Sequence, residues 1–198
     1  MRSARISRAA SARRPEPELG DPELMAAVAA GDLGALGVLY DRYHETTREF
    51  LARAAPHPAD ADDLVQETFL TLLQAAASYD GRARAAGFII GVAARLLRRR
   101  RRFLGRWAEI LWEAQELCVA AVATPEDNAR ATEDLAAVDR ALARMSEAKR
   151  LVYLMVEREG LSGEEVAAAL GIPIGTVWTR LHHARAALQR ALSKRGQR

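Results

Sequence analysis

The side chains most able to do chemistry are four carboxylates, Asp60, Asp62, Asp63 and Glu67, an adjacent histidine pair, His182 and His183, one cysteine, Cys118, and five consecutive arginines from Arg98 to Arg102. The carboxylates come without the glycine-bearing loop of a calcium site and without a paired histidine, so neither metal binding nor acid–base catalysis is expected of them. Adjacent histidines point about 100° apart on a helix and cannot chelate one ion together. A lone cysteine closes no disulfide within the chain and builds no thiolate metal site by itself; on an apolar stripe it reads as a small buried hydrophobe. No catalytic centre, metal site or cofactor is therefore expected. The arginine run is different. Like charge at that density costs stability unless carboxylates or a polyanion neutralise it, and a nucleic-acid backbone is the obvious ligand.

Charge along the chain sharpens that reading. The 198 residues carry a formal net charge of only +3, yet residues 1–19 hold +3, 20–79 hold −7, 80–106 hold +8, 107–147 hold −6 and 148–198 hold +5. Two basic blocks set between acidic ones suggest two separate contacts with a polyanion, each beside a surface of opposite sign. With 49% hydrophobic and 28% charged residues the composition is that of a soluble globular protein, and the length suits one medium domain or two small ones. The single cysteine points to a reducing, intracellular compartment. The longest apolar run, Gly87 to Leu97, is broken by Arg95 and falls short of the roughly 20 residues of a membrane span. Residues 1–19 read as a disordered basic tail, with no apolar signal core after Arg13-Arg14.

The elements that must position these residues read as helices. Asp21-Pro22 suggests an N-cap followed by proline at the first helical position, and Gly31-Asp32 a turn between two helices. From Asp62 to Ala77, Val65, Phe69, Leu72 and Ala76 form an apolar stripe, with Asp63, Gln66 and Glu67 near the opposite side. From about Gly87, Ile89, Val92, Ala93 and Leu96 repeat at core spacing while Arg95, Arg98, Arg99 and Arg102 repeat on a neighbouring face. Trp107, Ile110, Leu111, Ala114, Leu117, Cys118 and Ala121 form a further apolar stripe where a flexible connector would need none. Thr124-Pro125-Glu126-Asp127 opens another helix, whose buried face is Leu135, Val138, Leu142 and Met145. The apolar run Leu151 to Val156 lacks turn chemistry and a partner strand, and reads as buried helix.

Residues 161–180 have the pattern of a helix-turn-helix. Ser162 with Glu165 three residues on is a capping box, Ala167 is small where two helices cross, and Gly171 stands where the turn needs a permissive backbone. Pro173 ends the turn and Val177 and Leu181 return to the core. The second helix then projects Trp178, Thr179, His182 and His183 outward with Arg180 and Arg185 nearby, as a helix entering a major groove does.

Gly160 through Arg185, together with Asp60-Ala61-Asp62-Asp63-Leu64-Val65-Gln66-Glu67-Thr68-Phe69, resembles the extracytoplasmic-function sigma factors of bacterial RNA polymerase, two-domain members of the sigma-70 family. The resemblance covers roughly residues 21 to 102 and 127 to 194. It implies an all-α protein of two small helical domains joined by a partly helical linker, with no catalytic centre: a basic tail over 1–19, a region 2-like domain over 20–102, a linker over 103–126 and a region 4-like domain over 127–198. It implies that Asp60, Asp63, Gln66 and Glu67 contact the polymerase clamp. Arg82, Arg84 and Phe88 would capture an unstacked base of the −10 strand, and Arg95, Arg98, Arg99 and Arg102 its phosphates. Thr176, Trp178, Thr179, Arg180, His182, His183 and Arg185 would meet the −35 groove. The partners implied are core RNA polymerase, promoter DNA and an anti-sigma factor, in the cytoplasm. The alternative is a helix-turn-helix regulator that binds duplex DNA without polymerase.

The sequence departs from the family pattern in four places. Ala85 stands where an aromatic residue usually precedes Phe88, and Arg95 where an asparagine is usual. Trp178 holds a recognition-helix position more often given to Lys or Arg, which would exchange a charged base contact for an apolar one with a thymine methyl. The 107–121 stretch is more apolar than the usual linker, and is expected to dock on one of the two domains or on an inhibitory partner when polymerase is absent.

Overall fold

The computed structural model describes residues 19–55, 57–112 and 131–193, with side chains described at all of these except Pro58, 101–112 and 131–136. Among the described residues every regular element is helical: α1 (Asp21–Ala29), α2 (Leu33–Ala54), α3 (Ala61–Ala75), α4 (Ala85–Trp112), α5 (Ala131–Ala143), α6 (Glu147–Tyr153), α7 (Gly163–Leu170) and α8 (Ile174–Ser193).

Turn chemistry sets the amino-terminal helices. Gly31 takes φ 92°, a left-handed conformation open to glycine without steric cost. The Asp32 carboxylate then caps α2, accepting from the amides of Gly34 at 2.7 Å and Ala35 at 3.2 Å. The expected cap at Asp21 differs: Gly20 holds the N-cap position of α1, and Asp21 lies in the first turn beside Pro22. Its carboxylate instead accepts from Arg42 at 2.9 Å and from the Tyr43 hydroxyl, tying α1 to α2. Burial, reinforced by that bond, pushes the Tyr43 phenol up to about 12.

Helices α1 to α4 close over Leu24, Met25, Leu39, Phe50, Leu64, Leu72 and Ile89, each 2% exposed or less. The stripes Val65, Phe69, Leu72, Ala76 and Ile89, Val92, Ala93, Leu96 are all buried, as their spacing requires. Side chains of this size stabilise by about 1.5–3 kcal/mol each when fully removed from water. Helices α5 to α8 pack on Leu142, Leu151, Leu154, Met155, Val166, Val177, Leu181 and Leu188. The apolar run from Leu151 is helical as expected, continuing α6 into a π-helical turn over Leu154–Arg158. Val138 and Met145 pack against this core, while the side chain of Leu135 lies outside the described residues.

The two groups of helices meet. Ideal Cβ positions at Gly87 and Gly91 of α4 fall 3.5 Å from Leu161 Cγ and 3.1 Å from Ala169 Cβ. Arg150 of α6, itself buried, donates to the Ala54 carbonyl at the end of α2 at 2.7 Å. Arg158 pairs with Glu49, and Arg53 reaches Asp139 at 3.5 Å. The start of the expected linker is helical, since α4 runs on to Trp112. The rest of the 107–121 stripe, with Cys118, the helix start at Thr124, and residues 1–18 of the tail lie outside the described residues.

Candidate nucleic-acid interface

Three surfaces carry the residues singled out by the sequence. The first is the outer face of α3. Asp63, Gln66 and Glu67 are exposed, with Asp62 and the apolar side chain of Leu70 beside them, while Val65 and Phe69 turn inward. Asp60 is half-buried at the 3-10 turn before α3, and Arg100 of the arginine run stands 3.8 Å from it. Among the described side chains of the run, Arg100 thus has a carboxylate partner within the fold. Leu70 carried no polar signal in the sequence, and its position beside Glu67 emerges only from the helix face.

The second surface is α4 with the loop that enters it. Arg82 is exposed, its amide held by the Asp80 carboxylate at 3.0 Å. Phe88 is half-buried and meets Tyr79 edge to face, ring centroids 5.2 Å apart, and the Tyr79 hydroxyl donates to the Ala83 carbonyl at 2.8 Å. Ala85 stands where an aromatic was expected; the fold supplies an aromatic neighbour for Phe88 from farther back, at Tyr79. Arg95 and Arg99 are exposed. Arg84 and Arg98 are engaged: Arg84 donates to the Glu159 carbonyl at 3.0 Å and Arg98 to the Leu170 carbonyl. The side chain of Arg102 lies outside the described residues.

The third surface is the helix-turn-helix of α7 and α8. The capping box is complete: the Ser162 hydroxyl accepts from the Glu165 amide at 3.2 Å, and the Glu165 carboxylate accepts from the Ser162 amide at 2.7 Å. Gly171 caps α7 in the left-handed conformation, φ 59°. On α8, Val177 and Leu181 are buried, while Trp178, Thr179, His182, His183 and Arg185 are exposed and Thr176 and Arg180 are half-buried. Several outward residues are already occupied. The Thr179 hydroxyl donates back to the Gly175 carbonyl at 2.9 Å, Arg185 pairs with Glu157, and the two histidine rings meet edge to face at 5.7 Å. Trp178 does not stand clear of the domain: its indole lies over Gly163, where a Cβ would come within 2.5 Å of Cζ2.

Glu159, between α6 and α7, is the perturbed carboxylate of the region. Burial raises its pKa, aided by the neighbouring Glu49 carboxylate and opposed by Arg158, Arg53 and Arg84. Among the described residues no group of three or more His, Cys, Asp or Glu is placed to hold a metal ion, and no helix is long and apolar enough to cross a membrane.

Two family descriptions match the chain: sigma-70 region 2 over residues 39–107, and sigma-70 region 4 over residues 135–188. The extracytoplasmic-function RNA polymerase sigma factor SigM of Mycobacterium tuberculosis is 33% identical over 177 residues, covering 88% of this chain and 86% of that protein. Among solved structures, the sigma factor RpoE in complex with the anti-sigma factor NepR, from Bartonella quintana, superposes with a TM-score of 0.64 at 22% identity, over 79% of this chain and 96% of that one. CnrH in complex with the cytosolic domain of CnrY does so with a TM-score of 0.59 at 25% identity, over 88% and 97%.

Proposed function

The chain belongs to the extracytoplasmic-function sigma factors of the sigma-70 family, non-enzymatic initiation factors that direct promoter-specific transcription through regions 2 and 4, and on that premise we propose how its surfaces divide that task. The reading as a regulator working without polymerase is set aside. Residues 20–102 act as the region 2-like unit. The carboxylates of Asp60, Asp63 and Glu67, with Gln66, bind basic helices of the polymerase clamp, and the exposed Leu70 adds an apolar contact at the same patch. Arg82, Arg84 and Phe88 receive an unstacked base of the −10 strand, Phe88 offering a ring face steadied by Tyr79. Arg95, Arg98, Arg99 and Arg102 take its phosphates. Unstacking a base costs a few kcal/mol, offset by stacking on the aromatic ring and by backbone charge.

Residues 127–198 act as the region 4-like unit, reading the −35 element with Thr176, Trp178, Thr179, Arg180, His182, His183 and Arg185, and residues 103–126 connect the two. The cytoplasm is the compartment in which such a protein meets core polymerase and chromosomal DNA. The solved complex of CnrH with the cytosolic domain of CnrY supports a protein partner for the free chain.

One observation carries this reading. The solvated carboxylates of α3 and the guanidiniums of α4 sit on packed neighbouring helices, while the outward positions of α8 stand on a separate helix-turn-helix. A subunit that must hold a protein and two stretches of DNA needs those three faces. The test is co-purification with core polymerase followed by run-off transcription, using the double variant Asp63→Lys, Glu67→Lys. Both positions are exposed, so thermal unfolding should be unchanged while core binding and run-off product are lost. Wild-type retention of both would overturn the clamp assignment.

A further inference from the structure

The first two turns of α8 carry an apolar strip on the outside of the helix-turn-helix. Ile174 is 40% exposed and Trp178, one helical turn on, is 49% exposed. Gly175 between them has open space where a side chain would stand. The core contacts of these turns are made by other residues, Val177 and Leu181, both buried. An exposed apolar patch rimmed by polar residues marks a binding surface, and here the rim is Thr179 and His182, both exposed on the same helix.

The tryptophan is held in place before any ligand arrives. Its ring lies over Gly163 at the start of α7, and the atoms nearest a Cβ built there are Cζ2, Cη2 and Cε2, at 2.5, 2.9 and 3.1 Å. Those atoms belong to the side of the indole that bears its N–H. The one hydrogen-bonding group of the strip is therefore turned towards α7, and the far edge of the ring is carbon alone. Isoleucine has no polar side-chain group, and the Thr179 hydroxyl proton is committed to the Gly175 carbonyl at 2.9 Å. This corner of the recognition helix offers a ligand hydrocarbon in a fixed position. A preorganised anchor loses little freedom on binding.

Hydrocarbon has one specific counterpart in a major groove. Among the groups that distinguish the bases there, the methyl on C5 of thymine is the one that neither donates nor accepts a hydrogen bond. 5-Methylcytosine carries the same group at the same ring position. We propose that Ile174 and Trp178 form a reader of pyrimidine 5-methyl groups in the −35 element, selecting a base by its methyl and not by its hydrogen-bonding pattern. The occupant is duplex DNA because the strip shares its helix with Arg180, His182 and His183, groups that complement phosphate and base edges. The proposal rests on the −35 assignment of α8 and extends it to Ile174. It makes binding sensitive to methylation wherever cytosine stands at the position read.

The test uses the holoenzyme and a −35 duplex that it selects from a randomised pool. Each thymine of that duplex is replaced in turn by deoxyuridine, which removes the 5-methyl group and leaves base pairing intact. At one or two positions binding should fall about fourfold, the effect of losing one buried methyl group. At the same positions a 5-methylcytosine–guanine pair should bind about fourfold more tightly than cytosine–guanine. A response to uracil without one to 5-methylcytosine would overturn the methyl as the selected feature and leave thymine as a whole. Trp178→Gln and Ile174→Ser should each bind thymine and uracil duplexes alike at one of the sensitive positions. Because Trp178→Gln also disturbs the contact with Gly163, the uracil series on the wild-type holoenzyme decides the matter independently of folding. If every uracil duplex binds as its thymine parent does while the selected −35 sequence is still preferred, the methyl reader is wrong and the −35 assignment stands. If selection returns no preferred −35 sequence, the −35 assignment itself fails and the reader with it.

Discussion

The indole of Trp178 lies against Gly163, so closely that a methyl group at 163 would come 2.5 Å from Cζ2 and 2.9 Å from Cη2. The recognition helix is therefore registered on the first turn of α7 by a residue expected to face DNA. Gly163→Ala should destabilise the carboxy-terminal helices by about 1–3 kcal/mol, the cost of overpacking. The same change in a Trp178→Leu background should cost much less. A double-mutant cycle by urea unfolding reads the coupling directly, and additive losses would show that the ring does not constrain the glycine.

Arg150 carries a charge into the joint between the two groups of helices, where it is 6% exposed and bonded to the Ala54 carbonyl. Arg150→Met keeps much of the volume and removes the donor. A hydrogen bond from a charged group contributes about 1.5–3 kcal/mol, so a loss of that order is expected in chemical denaturation. Arg150→Lys should recover part of it. A neutral outcome for Met would mean that the cost of desolvating the guanidinium cancels the bond.

Arg95 and Arg99 are exposed on α4. Replacing Arg99 by Ala in the holoenzyme should weaken promoter binding for all sequences alike and lower the salt slope by about one unit per lost phosphate contact. An unchanged slope in a titration from low to moderate salt would refute its backbone role.

On α8 the prediction separates two neighbours. The Thr179 hydroxyl has its proton committed to the Gly175 carbonyl, whereas among the described residues Arg180 makes no such internal bond. Arg180→Ala should shift −35 base preference by roughly 1–3 kcal/mol at one position, and Thr179→Ala should shift it less. Selection of bound sequences from a randomised −35 element distinguishes the two.

Glu159 supplies a pH signature. Its carboxyl is held above the usual range by burial, so the folded protein retains that proton to higher pH than the unfolded chain does. The associated stabilisation is present below the unfolded pKa and is lost as pH rises through the folded one. Glu159→Gln should therefore raise the melting temperature at pH 7 and change it little near pH 4. The reverse order would show that the Arg158 contact, at 3.8 Å, outweighs burial.

Much of the fold was legible without coordinates because it rests on local rules. The capping box at Ser162 and Glu165, the left-handed Gly171 and the turn at Gly31 each concern a few consecutive residues, and all stand where expected. The stripes of α3 and α4 were legible because a 3.6-residue period is a property of the chain itself. At Asp21 the neighbouring Pro22 suggested a cap, while the actual partners, Arg42 and Tyr43, lie 21 and 22 residues further along the chain on α2.

The site was legible in type and only partly in detail. Residue identity and helical period determined that this chain has an acidic face, an arginine face and a helix-turn-helix. Which of the arginines meet solvent was decided elsewhere. Arg98 and Arg99 are adjacent and identical in the sequence, yet one donates to the carbonyl of Leu170 and the other is exposed. Periodicity gives each side chain a direction from its own helix axis but cannot supply the second helix that lies in that direction. That depends on the packing of α4 on α7, made possible by Gly87 and Gly91 and reached across more than seventy residues of chain.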